Sequence, residues 1–245
     1  MRIASLHVYP VKSCGPVDLV EARLDALGLD GDRRYAVVDA AGEALTQRGF
    51  APMASIRPRL LPGALALDLG GLAEIKVPDD GFGERCEAAV WGHRVPAHAA
   101  AEPVNRPLSD FLGTTARLVR LDPAAMRSFA DSRPVLVVSS ASLGLLNAGL
   151  VAAVGIERFR ANIVVDGAAP QAELGWQRLA AGTAELEFAG PCERCEVTTI
   201  DQTWGRRGGE EPLQTIAARF GSVFGAYFRV ARPGLVANGA SLTPG

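Results

Sequence analysis

The amino-acid sequence predicts a mainly β fold with a few helices, of the α+β class, and three observations carry that expectation. Short aliphatic and β-branched runs recur along the chain, among them Tyr35 to Asp39, Leu65 to Leu69, Glu74 to Val77 and Cys86 to Val90. Gly-Gly and Asp-Asp-Gly turn signals separate the later runs. Helical spacing of apolar residues is confined to a few segments, so strands and helices do not alternate as βα units require. A barrel or sandwich follows.

In chain order, residues 2–8 alternate as a strand that ends at Pro10, and the loop from Pro10 to Gly15 is expected to expose Lys12 and Ser13. Gly28 to Arg34 is a charged turn before the Tyr35 strand. Asp39-Ala40-Ala41-Gly42 closes a hairpin, with Glu43 to Thr46 returning. Glu102 to Leu112 has Leu108, Phe111 and Leu112 on one side of a helix, and Ser139-Ser140 opens another to about Leu150, with Leu143, Leu146 and Leu150 at helical spacing. Strands are expected at Ala161–Val165, Ala184–Phe188, Cys195–Ile200 and Phe224–Val230, and a helix from Pro212 to Phe220. The Ala-rich stretch from Pro96 to Pro103 is the best boundary, dividing the chain into 1–97 and 98–245. No internal repeat is present.

The 245 residues are 48% hydrophobic and 21% charged, which suits a folded chain with a real core. A formal net charge of -2 argues against broad attraction to nucleic acid and leaves only a local basic pocket. Four cysteines do not make a secreted disulfide framework at this length. There is no apolar run of the ~20 residues a membrane span needs, and no apolar segment with a cleavage site near Met1. The cytoplasm is the expected location.

Chemistry concentrates between Pro191 and Gly205, where Glu193 and Arg194 separate Cys192 from Cys195. A thiolate is a nucleophile and a soft metal ligand, and Arg194 beside Cys195 supplies charge that favours it. Two thiols can simply pack in a core, but the Glu and Arg between them must reach water or a partner. By spacing alone the pair fits zinc, a redox disulfide or one soft metal ligand. Zinc would need Cys86 with His93 or His98 to complete its set. A thioredoxin-like pair should open a helix, whereas Cys195 leads into Glu-Val-Thr-Thr-Ile, a strand former. Of the basic residues at turns and strand ends (Lys12, Arg33, Arg34, Arg48, Arg160, Arg194), most would ordinarily be surface groups, as is expected of Arg117. Arg160 begins an apolar strand, so a partly buried setting with a paired anion is expected, and arginine suits bidentate recognition of phosphate.

The longer phrase Pro191-Cys-x-Arg-Cys-x-x-Thr-Thr-x-Asp201 resembles the signature of the MOSC domain, named from the C-terminal part of molybdenum cofactor sulfurases. Tyr9-Pro10-Val11-Lys12-Ser13, Gly31-Asp32-Arg33-Arg34-Tyr35 and Thr46-Gln47-Arg48 resemble the N-terminal β-barrel region that precedes MOSC in one branch of the family. That branch includes the mitochondrial amidoxime-reducing component and bacterial relatives. Arg158-Phe159-Arg160-Ala161-Asn162 resembles a further family segment, so the likeness is colinear over nearly the whole chain. It implies an N-terminal β-barrel-like region followed by a MOSC β-barrel.

The resemblance further implies an oxidoreductase that uses the molybdenum cofactor, a molybdopterin, to reduce N-hydroxylated or other N-oxygenated compounds. Cys195 is then the metal ligand at the catalytic centre, and Lys12, Ser13, Arg33, Arg160, Asn162 and Arg194 bind the cofactor. Cys192 is left a packing or supporting role. The alternatives are a carrier or sulfur-transfer module in cofactor maturation, with Cys195 holding sulfane sulfur, and, apart from the resemblance, a small zinc-binding structural protein. Relatives carry an acidic pair before Trp, but here the run is Glu173-Leu174-Gly175-Trp176, so the second acid is absent. No cysteine follows Cys195, so no iron–sulfur cluster is expected in this chain. Electrons are therefore expected from an external ferredoxin- or flavin-type reductase, the other partner being a small-molecule substrate, with neither nucleic acid nor membrane.

Overall fold

A computed structural model describes residues 1–245. Its largest sheet has eight strands in the order Val17–Leu19, Arg2–Val8, Ile163–Asp166, Val135–Ser139, Val223–Arg232, Ala184–Glu193, Arg178–Ala181 and Leu242–Pro244. Only Val135–Ser139 and Ile163–Asp166 run parallel. Val135–Ser139 is buried at every position, as a central strand covered on both faces must be. Closure into a barrel is not a continuous ladder. A single bridge from Arg2 to Ser241, with the Leu242 N–H donating to Met1 O at 3.0 Å, brings the last strand back towards Arg2–Val8.

A four-stranded sheet runs Tyr35–Val38, Arg117–Leu121, His93–Ala100, Phe82–Val90, and a three-stranded meander holds Ile56–Leu61, Ala64–Leu69 and Glu74–Pro78. Three helices complete the fold: α1 (Glu102–Leu112), α2 (Ser140–Asn147) and α3 (Leu213–Phe220). The expected boundary at 97/98 falls inside the strand His93–Ala100. Early and late segments interleave, since Arg2–Val8 pairs with Ile163–Asp166 and Tyr35–Val38 with Arg117–Leu121. Apolar side chains sort into separate clusters, one on the eight-stranded sheet around Ile3, Leu6, Val137, Ile163 and Phe228, another under the meander and α1.

Local departures from the sequence reading have identifiable causes. Residues 195–200 are not a strand: Glu196–Thr199 is a 3-10 turn, and only Ile200–Asp201 pairs in a sheet. The Thr198 and Thr199 hydroxyls donate to Cys195 O at 3.0 Å and Glu196 O at 2.8 Å, a local bonding pattern that competes with a ladder. The return run Glu43–Thr46 keeps only the bridges Val38–Ala44 and Glu43–Ala89. The strand expected from Ala161 starts at Ile163, because Arg160 sits in the left-handed region at φ 57. Helix α2 ends at Asn147, whose side chain accepts from Val154 N and donates to Val154 O, both at 3.0 Å. Glu173 is a structural acid: at 1% exposure it accepts from Ser139 N at 3.2 Å and Ser142 Oγ at 2.8 Å where α2 begins.

Candidate functional site

Residues from seven separate stretches of the sequence meet around a cavity of about 430 Å³. All seven residues singled out above line it: Lys12, Ser13, Arg33, Arg160, Asn162, Arg194 and Cys195. Arg34 does not; it forms a two-pronged contact with Asp25 elsewhere. Arg48, Arg133 and Arg158 bring the cationic side chains on the wall to seven, against the carboxylates of Asp131 and Glu193 alone. Such an excess in one partly desolvated space calls for an anion.

Lys12 is buried rather than exposed, at 4%. Its ammonium donates to Phe129 O at 3.1 Å and pairs with Asp131. Burial pushes the Lys12 pKa below its ordinary value despite that partner. Burial works against the charge of Asp131 too, but the Lys12 ammonium and hydrogen bonds from Lys12 and Trp91 outweigh it and bring Asp131 down to about 2. Ser13 and Arg33 both have left-handed backbones, at φ 66 and 48, a conformation that non-glycine residues adopt at a cost. Arg33 is held by both oxygens of Asp32, at 2.7 and 2.6 Å, and its own carboxylate partner keeps its pKa raised against the effect of burial.

Arg160 has no carboxylate partner. Its Nη1 donates to Cys14 O at 2.7 Å, and its guanidinium lies 4.2 Å from the centre of the Tyr9 ring. Arg33 stacks on the same ring at 4.5 Å. Burial, and then the neighbouring charge of Arg33, lower the Arg160 pKa to about 10. Asn162 faces the cavity, but its amide is engaged with the backbone: Oδ1 accepts from Leu136 N and Nδ2 donates to His7 O, both at 3.1 Å. It ties three strands beneath the site.

The arginines around the two thiols are arranged differently from the sequence reading. Arg194 turns to Cys192, with Nη1 at 2.7 Å from Sγ, and donates through Nη2 to Phe159 O at 2.5 Å. The cation on Cys195 is Arg48, whose Nη2 donates to Sγ at 3.1 Å. Cys192 is 1% exposed, whereas Cys195 is half-buried and open to the cavity. Two glutamines position Arg48, since Gln47 and Gln202 exchange amide hydrogen bonds at 3.1 Å and Gln47 also donates to Ser13 O at 2.8 Å.

The donor set fits a phosphate-bearing cofactor with a soft metal. Arg48, Arg133, Arg160 and Arg194 lack carboxylate partners among the ion pairs of the chain, which pair Lys12, Arg33 and Arg158 instead. The Arg194 Nε is buried with no hydrogen-bond partner, a donor that costs free energy until something accepts from it. Cys195 adds one accessible sulfur. A zinc set is not assembled: no three His, Cys, Asp or Glu side chains are grouped to hold a metal. Cys86 pairs opposite Ala97 in the four-stranded sheet and serves packing there.

Two family models cover the chain: the MOSC N-terminal beta barrel domain over residues 1–115 and the MOSC domain over residues 125–243. The human protein named mitochondrial amidoxime-reducing component 1 is 30% identical over 96% of this chain and 80% of its own length. The chain belongs to the MOSC-domain family. Proteins named molybdenum cofactor sulfurase are also similar, that of Drosophila grimshawi at 31% identity over 88% of this chain and that of Danio rerio at 30% over 92%. This chain spans only 30% and 31% of those two sulfurases. The relatives thus tie this MOSC chain to molybdenum-cofactor chemistry.

Asp131, Arg133 and Tyr227 also line the cavity, and no motif marks them in the sequence. Asp131 and Arg133 lie in a loop without periodicity, and Tyr227 reads as an ordinary strand residue. Burial, reinforced by the neighbouring Cys192, pushes the Tyr227 hydroxyl well above its ordinary pKa. Arg48 was visible as part of Thr-Gln-Arg but carried no assigned role.

Proposed function

We propose that this protein is a molybdenum-dependent reductase of N-hydroxylated and related N-oxygenated compounds. The observation that carries the reading is one accessible thiol, Cys195, set in a cavity walled by seven cationic side chains. When bound, the cofactor would supply two-electron redox chemistry at molybdenum, an element suited to a soft sulfur donor. Cys195 would ligate the metal, while Lys12, Arg33, Arg160 and Arg194, with the Ser13 loop, would hold the anionic phosphate and polar edge of the pterin. Arg48 holds the Cys195 sulfur in place.

Conversion of N–OH to N–H consumes two electrons and two protons and releases water. The guanidinium and ammonium groups are assigned to binding anions, and water supplies the protons. Electrons come from an external ferredoxin- or flavin-type reductase. No helix is long and apolar enough to cross a membrane. The four free thiols suit a reducing compartment, and we place the reaction in the cytoplasm.

The deciding experiment measures metal and pterin in the purified chain, then benzamidoxime reduction with dithionite and a viologen dye. Bound cofactor with turnover supports a reductase. Bound cofactor without turnover on any N-hydroxylated compound favours a carrier, and no pterin at all removes both readings.

A further inference from the structure

The hairpin between Phe82–Val90 and His93–Ala100 turns on two residues, Trp91 and Gly92, with φ 51 and 77. Positive φ at both positions is the type I′ geometry, which favours Asn-Gly or Gly-Gly; a bulky aromatic at the first position is ill suited. Trp91 is also 52% exposed, so core packing does not account for it. Its contacts do. The Arg48 guanidinium lies 4.6 Å from the centre of the Trp91 ring, and Trp91 Nε1 donates to Asp131 Oδ1 at 2.9 Å. Arg207 Nη2 donates to Arg48 O at 2.5 Å, fixing the backbone as well. Arg48 is thus braced by its face and its main chain, with Nη2 on the Cys195 sulfur and no carboxylate partner. A guanidinium has five N–H donors, and one is spent here.

We propose that Arg48, braced by Trp91, is an anion-receiving group beside Cys195, and that it selects substrates carrying a negative charge near their reacting atom. Resting on the reductase reading, the substrate class is N-oxygenated compounds bearing a carboxylate or phosphate, rather than neutral or cationic ones. Trp91 acts through Arg48 and is a positioning residue. An exposed arginine free to swing would offer a hydrated, diffuse charge; one locked against an indole ring presents a fixed fork.

The first test needs no cofactor. In the full chain expressed without molybdenum, Cys195 is alkylated with iodoacetate, an anion, and with neutral iodoacetamide, the modified residue being located by peptide mass spectrometry. The ratio of the two rate constants cancels the thiolate fraction and reports local charge alone. Wild type should exceed the ratio for free glutathione. Arg48→Gln should lower it about tenfold, as expected for removing a unit charge a few ångströms from the sulfur in a partly screened site. Arg127→Gln, outside the cavity, should leave it unchanged. Trp91→Asn suits the turn, so it should fold at least as stably while lowering the ratio about threefold; a purely structural tryptophan would not separate those effects. An unchanged ratio in both Arg48→Gln and Trp91→Asn overturns the proposal, and Trp91→Asn alone decides it if Arg48→Gln fails to fold.

In the cofactor-loaded chain, 4-carboxybenzamidoxime should be preferred over benzamidoxime in kcat/KM, and Arg48→Gln should erase the preference through KM. Equal use of the two by wild type overturns the substrate class. Loss of all turnover with an intact alkylation ratio would instead refute the reductase reading and leave the anion-receiving group standing.

Discussion

Arg160 offers a test in which stability and function move apart. It is a cation without a carboxylate partner, and burial with the nearby Arg33 lowers its pKa from the usual 12.5 to about 10. For a base with a depressed folded-state pKa, the charged form is penalised in the fold. The penalty is present in full below about pH 10 and disappears only as pH rises towards the unfolded value. At neutral pH that shift corresponds to about 3 kcal/mol, trimmed to about 2–3 because the side chain keeps some solvent contact. Arg160→Met removes the penalty but also loses the bond to Cys14 O, about 1 kcal/mol, and the Tyr9 stacking, about 1–2 kcal/mol.

The two sides nearly cancel, so the cofactor-free variant should unfold in urea within about 1.5 kcal/mol of wild type. Ordinary large-to-small truncations in a protein interior cost about 2–5 kcal/mol. Cofactor retention should fall sharply, since a charge-assisted contact contributes about 1.5–3 kcal/mol, roughly a ten- to hundredfold change in affinity. The control is Arg106→Met on the exposed side of α1. Arg117 is a poor control, because its Nε is buried without a partner. A loss of 3 kcal/mol or more in the cofactor-free variant would refute the idea that this cavity holds uncompensated charge. Equal pterin content in Arg160→Met and Arg106→Met would remove Arg160 from the site.

Cys195→Ser should abolish metal-dependent turnover, because a hydroxyl is a harder and far less acidic donor than a thiol, while Cys192→Ser should be milder; the reverse order would exchange their roles. Asp131, held at about 2 against about 3.9 for a free carboxyl, stabilises the fold above about pH 5 and loses that contribution as pH falls towards 2. Asp131→Asn should therefore flatten the melting temperature between pH 5 and pH 2 and lower it at neutral pH, where Lys12 is left without its counter-charge; a curve parallel to wild type would count against the pair. Given NADH and an N-hydroxylated substrate, the 245-residue chain should turn over very slowly, and dithionite with a viologen should restore the rate. No Gly-x-Gly-x-x-Gly opens a helix after a strand, and Gly70-Gly71 lies in the turn between Ala64–Leu69 and Glu74–Pro78. Sustained NADH-driven reduction by this chain, with contaminating reductases removed, would refute that account of its electrons.

The contrast between Arg194 and Arg48 shows what a sequence can and cannot disclose about such a site. Lys12, Arg33, Arg160 and Cys195 were legible because each sits in a short motif at a strand end, and strand ends are where a β fold gathers its loops. Adjacency along the chain misassigns the cation of Cys195. In extended backbone, neighbouring side chains point to opposite faces and residues two apart share one. Arg194 follows the strand Ala184–Glu193, so it shares a side with Cys192 and turns from Cys195, itself extended at φ -129 and ψ 179. The cation on Cys195 must then arrive from elsewhere, and it comes from 147 residues away. That meeting depends on the paired amides of Gln47 and Gln202 and on a tryptophan at the tip of a hairpin in another sheet, none of which has a periodicity to read. Motifs mark the groups able to do the chemistry, and the register of the surrounding strands decides which of them touch.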